Sequence, residues 1–280
     1  MPGMVELPRG LCHYTNGSGL LGIVDDKRDL WATHIFYLND HNEYQLAYDT
    51  AKSLLERIAV LRDLGVQAPR LREAMISAMT HIARGRLPAV FVTSFAEKWD
   101  DLSQWRGYTS PGDGYGIVFD PATLRARAQN MGWRLEKCLY GQEGESALTS
   151  LLIESFRRYI AGTRADNGDG IDEAVEEFGR QILSLAPLIK DEAFRAESEW
   201  RLISPPMDDM TQKFLFRPGR SFVVPYLTFQ YADPGQHVIV HINVGPGPNA
   251  ELAAQAAGTL IIQRGLGCGC GRSSAPYRPW

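Results

Sequence analysis

The 280-residue sequence predicts an α+β fold. Strand-length apolar runs and longer helical patterns are mixed along the chain, without the regular β-α alternation of a doubly wound parallel sheet. There is no internal repeat and no low-complexity block, so a solenoid or an extended array is not expected. Composition agrees: 44% of residues are hydrophobic and 22% charged, the balance of a globular core rather than of a coiled coil or a disordered chain. The expected organisation is a single domain over 1–280, with a helical insertion at about 40–86 and a second helical region at about 147–194.

Leu11 to Thr15 is a short apolar stretch that ends in the turn residues Asn16-Gly17-Ser18-Gly19 and reads as a buried first strand. Gly19 to Val24 suggests a short helix and Asp25 to Asp29 a polar turn. Leu30 to Leu38, rich in aromatic and β-branched residues, reads as extended. Asn39-Asp40 breaks it, and Asp40 stands where it can cap a helix carrying Leu46, Leu54, Leu55 and Ile58. Arg70 to Arg84 gives a second helix after the break at Gly65 to Pro69. Ala89 to Phe95 is a sharp strand signal, and Asp101 to Tyr108 a short helix with Leu102, Trp105 and Arg106 on neighbouring positions. A turn at Pro111 to Gly114 precedes a strand at Tyr115 to Phe119, a helix at Pro121 to Gln129 and a strand at Arg134 to Tyr140. Ala147 to Ile160 reads as helix, Gly162 to Gly170 as a polar loop, and Ile171 to Phe194 as helix interrupted at Pro187. The last third is mostly extended, with Glu199 to Ile203, Ser221 to Phe229 and His237 to Val244. An Ala-rich helix, Ala250 to Ala257, and Leu260-Ile261-Ile262 come before a Gly-rich tail.

Charge narrows the function classes. Lys and Arg number 29 against 33 Asp and Glu, a net charge of -4, which argues against sequence-blind nucleic-acid binding. No apolar run approaches the roughly 18 residues of a membrane helix. Met1 to Arg9 carries Glu6 and no apolar stretch of the kind a secretory signal needs, so a soluble, cytoplasmic protein without membrane contact is expected. Cys12 and Cys138 stand alone. Cys268 and Cys270 could share a zinc ion with His237 and His241, but a one-residue spacer in a Gly-rich tail favours the metal-free reading.

No Gly-x-Ser-x-Gly elbow, phosphate-binding Gly-Lys-Ser/Thr loop or His-Glu-x-x-His helix is present. What remains is a set of polar residues inside apolar strands. Strand alternation puts Glu197, Glu199 and Arg201 on one face, with Trp200 and Leu202 on the other. Two carboxylates there can divide labour, one stabilising a cation or holding a sugar hydroxyl and the other orienting or deprotonating an acceptor. The competing reading is a solvated edge at which Arg195 or Arg201 pairs the acids. His13 in the first strand, Thr93-Ser94, Trp105 and Tyr108 each have an ordinary packing explanation as well. Asn39-Asp40 with Glu43 most simply makes a helix cap, and a hydrolase built on His13, Asp40 and Glu43 ranks last among the readings.

The ordered motifs His13-Tyr14-Thr15, Tyr37-Leu38-Asn39-Asp40 with Glu43, Thr93-Ser94-Phe95, Trp105-Arg106-x-Tyr108, Glu197-x-Glu199-Trp200-Arg201 and Ala275-Pro276-Tyr277-Arg278 resemble a bacterial family known only as a domain of unknown function. More remotely, a first-strand His, a hydroxyl-bearing strand and a later Glu-x-Glu resemble the ADP-ribosyltransferase superfamily. That resemblance implies a split β-sheet core with helical insertions. It also implies NAD as substrate, with His13 contacting it and Ser94 with Thr93 supporting the nicotinamide side. Glu199 would be the catalytic acid gripping the nicotinamide ribose, and Glu197 the residue orienting the acceptor. Tyr14, Thr15, Tyr37 and Trp105 complete the implied NAD contacts. Glu199 to Ile203 and Arg217 to Val224 look like that fold's final strand pair.

The chain departs from the superfamily pattern in having Thr-Ser-Phe for Ser-Thr-Ser and a His where Glu-x-Glu members usually have Arg. The implied activity is an NAD-dependent ADP-ribosyltransferase or NAD glycohydrolase acting on an unidentified protein or nucleic-acid acceptor. Bacterial proteins of this kind are often toxins or phage-defence effectors, which leaves room for an inhibitory partner. The alternative is a non-catalytic module that senses a nucleotide or holds a protein.

Overall fold

A computed structural model describes residues 6–38, 42–57, 68–83, 89–109, 112–165, 171–207, 214–219, 221–233 and 235–276, with the backbone alone at 42–44, 68, 81–83 and 161–165. The chain is a mixed α+β protein. In chain order its elements begin with β1 (Leu11–Thr15), α1 (Gly17–Ile23), β2 (Asp29–His34), α2 (Asn42–Arg57), α3 (Ala68–Ala83) and β3 (Phe91–Ala96). They continue with α4 (Leu102–Tyr108), β4 (Tyr115–Phe119), α5 (Pro121–Asn130), β5 (Arg134–Lys137), β6 (Leu139–Tyr140), α6 (Gln142–Ala165) and α7 (Ile171–Leu185). The last are β7 (Ile189–Lys190), β8 (Glu199–Ile203), β9 (Leu215–Pro218), β10 (Val223–Gln230), β11 (Ile239–Val244), α8 (Ala250–Gln263) and β12 (Gly269–Arg272).

One mixed sheet runs β12-β11-β4-β1-β3-β2-β10-β9, and β8 and β5 branch from it at β3. The branching follows from how β3 shares its edges. On one side β8 pairs along it from Val92 opposite Ile203 to Ala96 opposite Glu199. On the other, β1 pairs only at Ala96, through Cys12, while β2 pairs at Val92 and Phe91, through Thr33 and His34. β1 and β2 therefore diverge across Thr93, Ser94 and Phe95, and the imidazole of His13 bonds the Ser94 carbonyl in that gap, Nδ1 to O 2.9 Å.

Local chemistry sets the elements around this gap. Asn16 caps α1 by accepting from the Gly19 amide, so the chain leaves β1 in a tight turn at the gap's rim. Asp101 caps α4 through the Ser103 amide and Asp120 caps α5 through the Thr123 amide, with Pro121 in the first turn. One core of buried side chains lies where Phe91, Phe95, Phe119, Trp200 and Phe229 meet α1 and α5. A second joins α2, α3, α6 and α7 to Val90, Val92 and Ile203. The two helical regions read separately from the sequence are thus packed on each other.

Several boundaries differ from the sequence reading. Leu30 to Leu38 is not extended throughout: β2 stops at His34, whose Nδ1 accepts from the Phe36 amide and starts a 3-10 turn at Ile35–Tyr37. Arg134 to Tyr140 is two strands, because β5 pairs β8 whereas β6 turns to pair β7. Helix does not continue past Pro187 to Phe194; Ile189–Lys190 is strand and Glu192–Glu197 is 3-10 helix. Leu260 to Ile262 continues α8, and the Gly-rich tail supplies β12, parallel to β11. The strand pair expected between Glu199–Ile203 and Arg217–Val224 does not form: β8 lies between β3 and β5, whereas β10 pairs β2 and β9. β8 is buried along its whole length and has a neighbour on each edge, β3 and β5, whereas β9 is a largely exposed strand at the sheet's end. No helix among the described residues is long and apolar enough to cross a membrane.

Candidate functional site

Two neighbouring cavities open where β1 and β2 part. The smaller, about 60 Å³, is lined by Cys12, His13, Tyr14, Ser94, Phe95, Ala96, Gln104, Tyr108, Glu197 and Glu199. The larger, about 500 Å³, shares His13, Tyr14, Ser94 and Tyr108 with it and extends over Thr15, Asn16, Asp29, Trp31, Thr33, Tyr37, Thr93 and Arg217. Of the residues expected at the site from sequence, His13, Ser94, Glu197 and Glu199 meet in the small cavity, and Tyr14, Thr15, Tyr37 and Thr93 line one or both.

Trp105 does not line either cavity. It is buried beneath them, edge-on to Tyr14 with centroids 4.6 Å apart, and its indole donates to Asp100. Tyr14 and Thr93 also use their polar atoms structurally. The Tyr14 hydroxyl donates to the Lys98 carbonyl and accepts from the Asp101 amide, and Thr93 Oγ1 donates to the Trp31 carbonyl. Ser94 differs: among the described residues nothing bonds its hydroxyl.

His13 is held as a neutral base. Burial pushes its pKa down, against a smaller upward pull from the Ser94 backbone. A carbonyl oxygen only accepts, so the proton of the neutral ring sits on Nδ1 and Nε2 keeps its lone pair.

The acids are arranged differently from the strand alternation expected of them. Glu197 ends the 3-10 helix, and Ser198, left-handed at φ 46°, turns the chain before β8 begins at Glu199. What unites the two carboxylates is Lys190, buried in β7, whose ammonium donates to Glu197 at 2.8 Å and to Glu199 at 2.5 Å. Arg201, on the same β8 face as Glu199, adds Nε to Oε1 at 2.8 Å and Nη2 to Oε2 at 3.3 Å, and spends Nη1 on the Pro187 carbonyl. Burial pushes the Glu199 carboxyl up, but the charges and hydrogen bonds of Arg201 and Lys190 outweigh it and hold the group well below the usual range, at about 2. Glu199 is therefore a fixed anion. Arg195, the other expected partner of the acids, instead pairs Glu192 and Glu143.

Sequence reasoning gave no role to Lys190, Gln104, Trp31, Thr33 or Arg217. Gln104 had a usable signal, a polar residue one position from Trp105 at the start of a short helix. Lys190, in a two-residue strand between helical segments, had none. Asp40, and with it the cap and the hydrolase reading, lies outside the described residues, as do Tyr277 and Arg278; for Glu43 only the backbone is described. His237 Nδ1 donates to the Leu266 carbonyl, and His241 stacks on Trp99. Among the described residues no group of three or more His, Cys, Asp or Glu side chains could hold a metal ion.

Gln104 to Leu202 runs from α4 to β8 and carries both acids and both of their cations. Residues 104–202 match the family model described as Protein of unknown function (DUF2971). The DUF2971 match covers about a third of the chain, so His13 and Ser94 of β1 and β3, and Arg217 of β9, lie outside it. No curated protein and no solved structure matches the chain. The DUF2971 segment thus supplies the charged wall of the small cavity, and the chain before it supplies the imidazole and the hydroxyl.

Proposed function

We propose that the chain binds NAD in the cleft between β1 and β2 and cleaves its nicotinamide–ribose bond, passing ADP-ribose to a macromolecular acceptor or to water. The observation that carries this reading is the convergence of His13, Ser94, Glu197 and Glu199 on one small cavity that shares four lining residues with a cavity large enough for a nucleotide. A sheet that parts at β3 is also what an ADP-ribosyltransferase-like split core requires, which supports that finer fold assignment.

The chemistry is dissociative. The bond from the anomeric carbon to the pyridinium nitrogen breaks, its electron pair leaves on neutral nicotinamide, and positive charge develops on the ribose. Glu199, ionised at all physiological pH values, stabilises that charge electrostatically. The lone pair on His13 Nε2 accepts from a ribose hydroxyl, and Ser94 holds the nicotinamide side. An acceptor oxygen or nitrogen then bonds the anomeric carbon and releases its proton to Glu197.

A second reading draws on a specific observation. Glu199 already accepts from two cations, which dilutes the charge it can direct at a ribose and suits a rigid wall for nucleotide sensing without turnover. Incubating purified protein with NAD and measuring free nicotinamide separates the two. The enzymatic reading expects release that falls at least about a hundredfold in Glu199→Gln with the melting temperature recorded alongside, and also falls in Glu197→Gln when a macromolecular acceptor is added. NAD binding without release from either protein, across protein and nucleic-acid acceptors, overturns catalysis and leaves the sensor.

A further inference from the structure

We propose that Arg217 and Thr33 form an anion subsite in the larger cavity, which takes the phosphate or diphosphate group of a nucleotide. Arg217 sits on β9, at the edge of the sheet and two strands from β2 in the order β2-β10-β9. Its side chain nonetheless reaches β2, where Nη2 donates to Thr33 Oγ1 at 3.0 Å. Its Nε is buried without a hydrogen-bond partner, and no carboxylate among the described residues pairs with it.

Arg72 on α3 is the other guanidinium with a buried, unpartnered Nε among the described residues, and it lines neither cavity. Arg127, Arg134, Arg158, Arg180, Arg201 and Arg272 each meet an acid. A half-buried guanidinium without a counter-ion is costly, and burial accordingly pushes its pKa down. The cost is recovered when a ligand brings the anion.

The surroundings define the anion's class. Among the described residues Arg217 is the sole Arg or Lys lining the larger cavity, and Asp29 the sole carboxylate. Asp29 lies four residues along β2 from Thr33, a separation of about 13 Å, so it does not neutralise the guanidinium. A planar fork of donors beside a hydroxyl matches tetrahedral phosphate oxygens better than a single carboxylate. Between Asp29 and Thr33, on the same strand face, Trp31 lies tilted against Tyr226, with centroids 4.6 Å apart and the indole 49% exposed. This aromatic surface next to the guanidinium suits a base carried by the same molecule. The base rests on the reading of this cleft as a nucleotide site, whereas the anion subsite requires no bond cleavage.

Calorimetric titration of the full chain with ADP, adenosine and inorganic pyrophosphate tests this. ADP is expected to bind at least about tenfold more tightly than adenosine, with an affinity that weakens as salt rises. Arg217→Gln is expected to lose about tenfold or more for ADP and little for adenosine, and Arg217→Lys to fall between. Pyrophosphate binding as tightly as ADP supports the subsite with a free anion as its ligand; tighter ADP supports it with a nucleotide. If adenosine binds as well as ADP, if ADP affinity is indifferent to Arg217, or if the native chain binds none of the three, the subsite is overturned. Should Arg217→Gln not fold, the ADP-to-adenosine ratio and the salt dependence of the native chain decide alone. Arg217-dependent ADP binding without nicotinamide release keeps the subsite and rejects catalysis; nicotinamide release with KM unchanged in Arg217→Gln does the reverse.

Discussion

The two cavities share four lining residues yet treat charge in opposite ways. In the small one every charge is compensated from within: Glu199 accepts from Lys190 and Arg201, and Glu197 from Lys190. In the large one no ion pair among the described residues joins Arg217 or Asp29, and the guanidinium has the Thr33 hydroxyl as its hydrogen-bond partner. The first arrangement fixes acids in one geometry at the expense of free charge. The second leaves charge available to a ligand at the expense of stability. A site that holds its reacting groups rigid and recruits its ligand electrostatically needs both.

The largest expected difference is in folding stability. Arg201→Met leaves the Glu199 anion buried beside a single cation, and should lower unfolding free energy by about 3–5 kcal/mol in urea titration. Arg217→Met removes a cation that no described residue neutralises, and should change stability by no more than about 1 kcal/mol. Equal losses in the two variants would erase the distinction between the cavities.

Acid should attack the small cavity selectively. Glu199 titrates near 4.5 when unfolded and at about 2 when folded, so the unfolded chain binds the extra proton in between. The stability it contributes is complete above about pH 4.5 and is lost as pH falls through about 2, a change of about 3 kcal/mol. Urea midpoints measured from pH 5 to pH 2.5 should show this slope, and Glu199→Gln should flatten it.

Beneath the small cavity, Gly116 of β4 is a packing control. A Cβ there meets the Cys12 sulfur at 2.8 Å and the Trp105 ring at 3.3 Å. Gly116→Ala should cost about 1–3 kcal/mol through crowding alone, with the pH slope unchanged. The smallest effect belongs to the surface: Arg158→Ala, which breaks exposed pairs with Glu154 and Glu177, should shift stability by at most about 0.5 kcal/mol.

The parts of this chain that could be read from sequence are those whose signal is local. β1, β3 and β4 are largely apolar runs, β8 alternates charged with apolar residues before Pro205, and α1, α4 and α5 begin at capping side chains that sit next to them in the sequence. β9 and β12 escaped because they are short, largely exposed edge strands whose pairing alone makes them strands. The convergence of His13, Ser94 and Glu199 was expected only through a resemblance, since no spacing reports that β1 and β2 part on opposite ends of β3. Glu197 was expected on the strand face of Glu199, and the left-handed Ser198 between them breaks that alternation. Lys190 and Arg217 act across 9 and 184 positions of sequence, on Glu199 and Thr33 respectively, distances over which periodicity carries no information.

In the proposed mechanism the imidazole of β1, the hydroxyl of β3 and the acid of β8 surround one scissile bond. A crystal structure of the chain with a non-cleavable NAD analogue measures this directly. The nicotinamide ribose is expected within hydrogen-bond reach of Glu199 and His13, with the diphosphate against Arg217. An analogue seated elsewhere, with both cavities empty and the Glu199–Lys190–Arg201 network undisturbed, would contradict it.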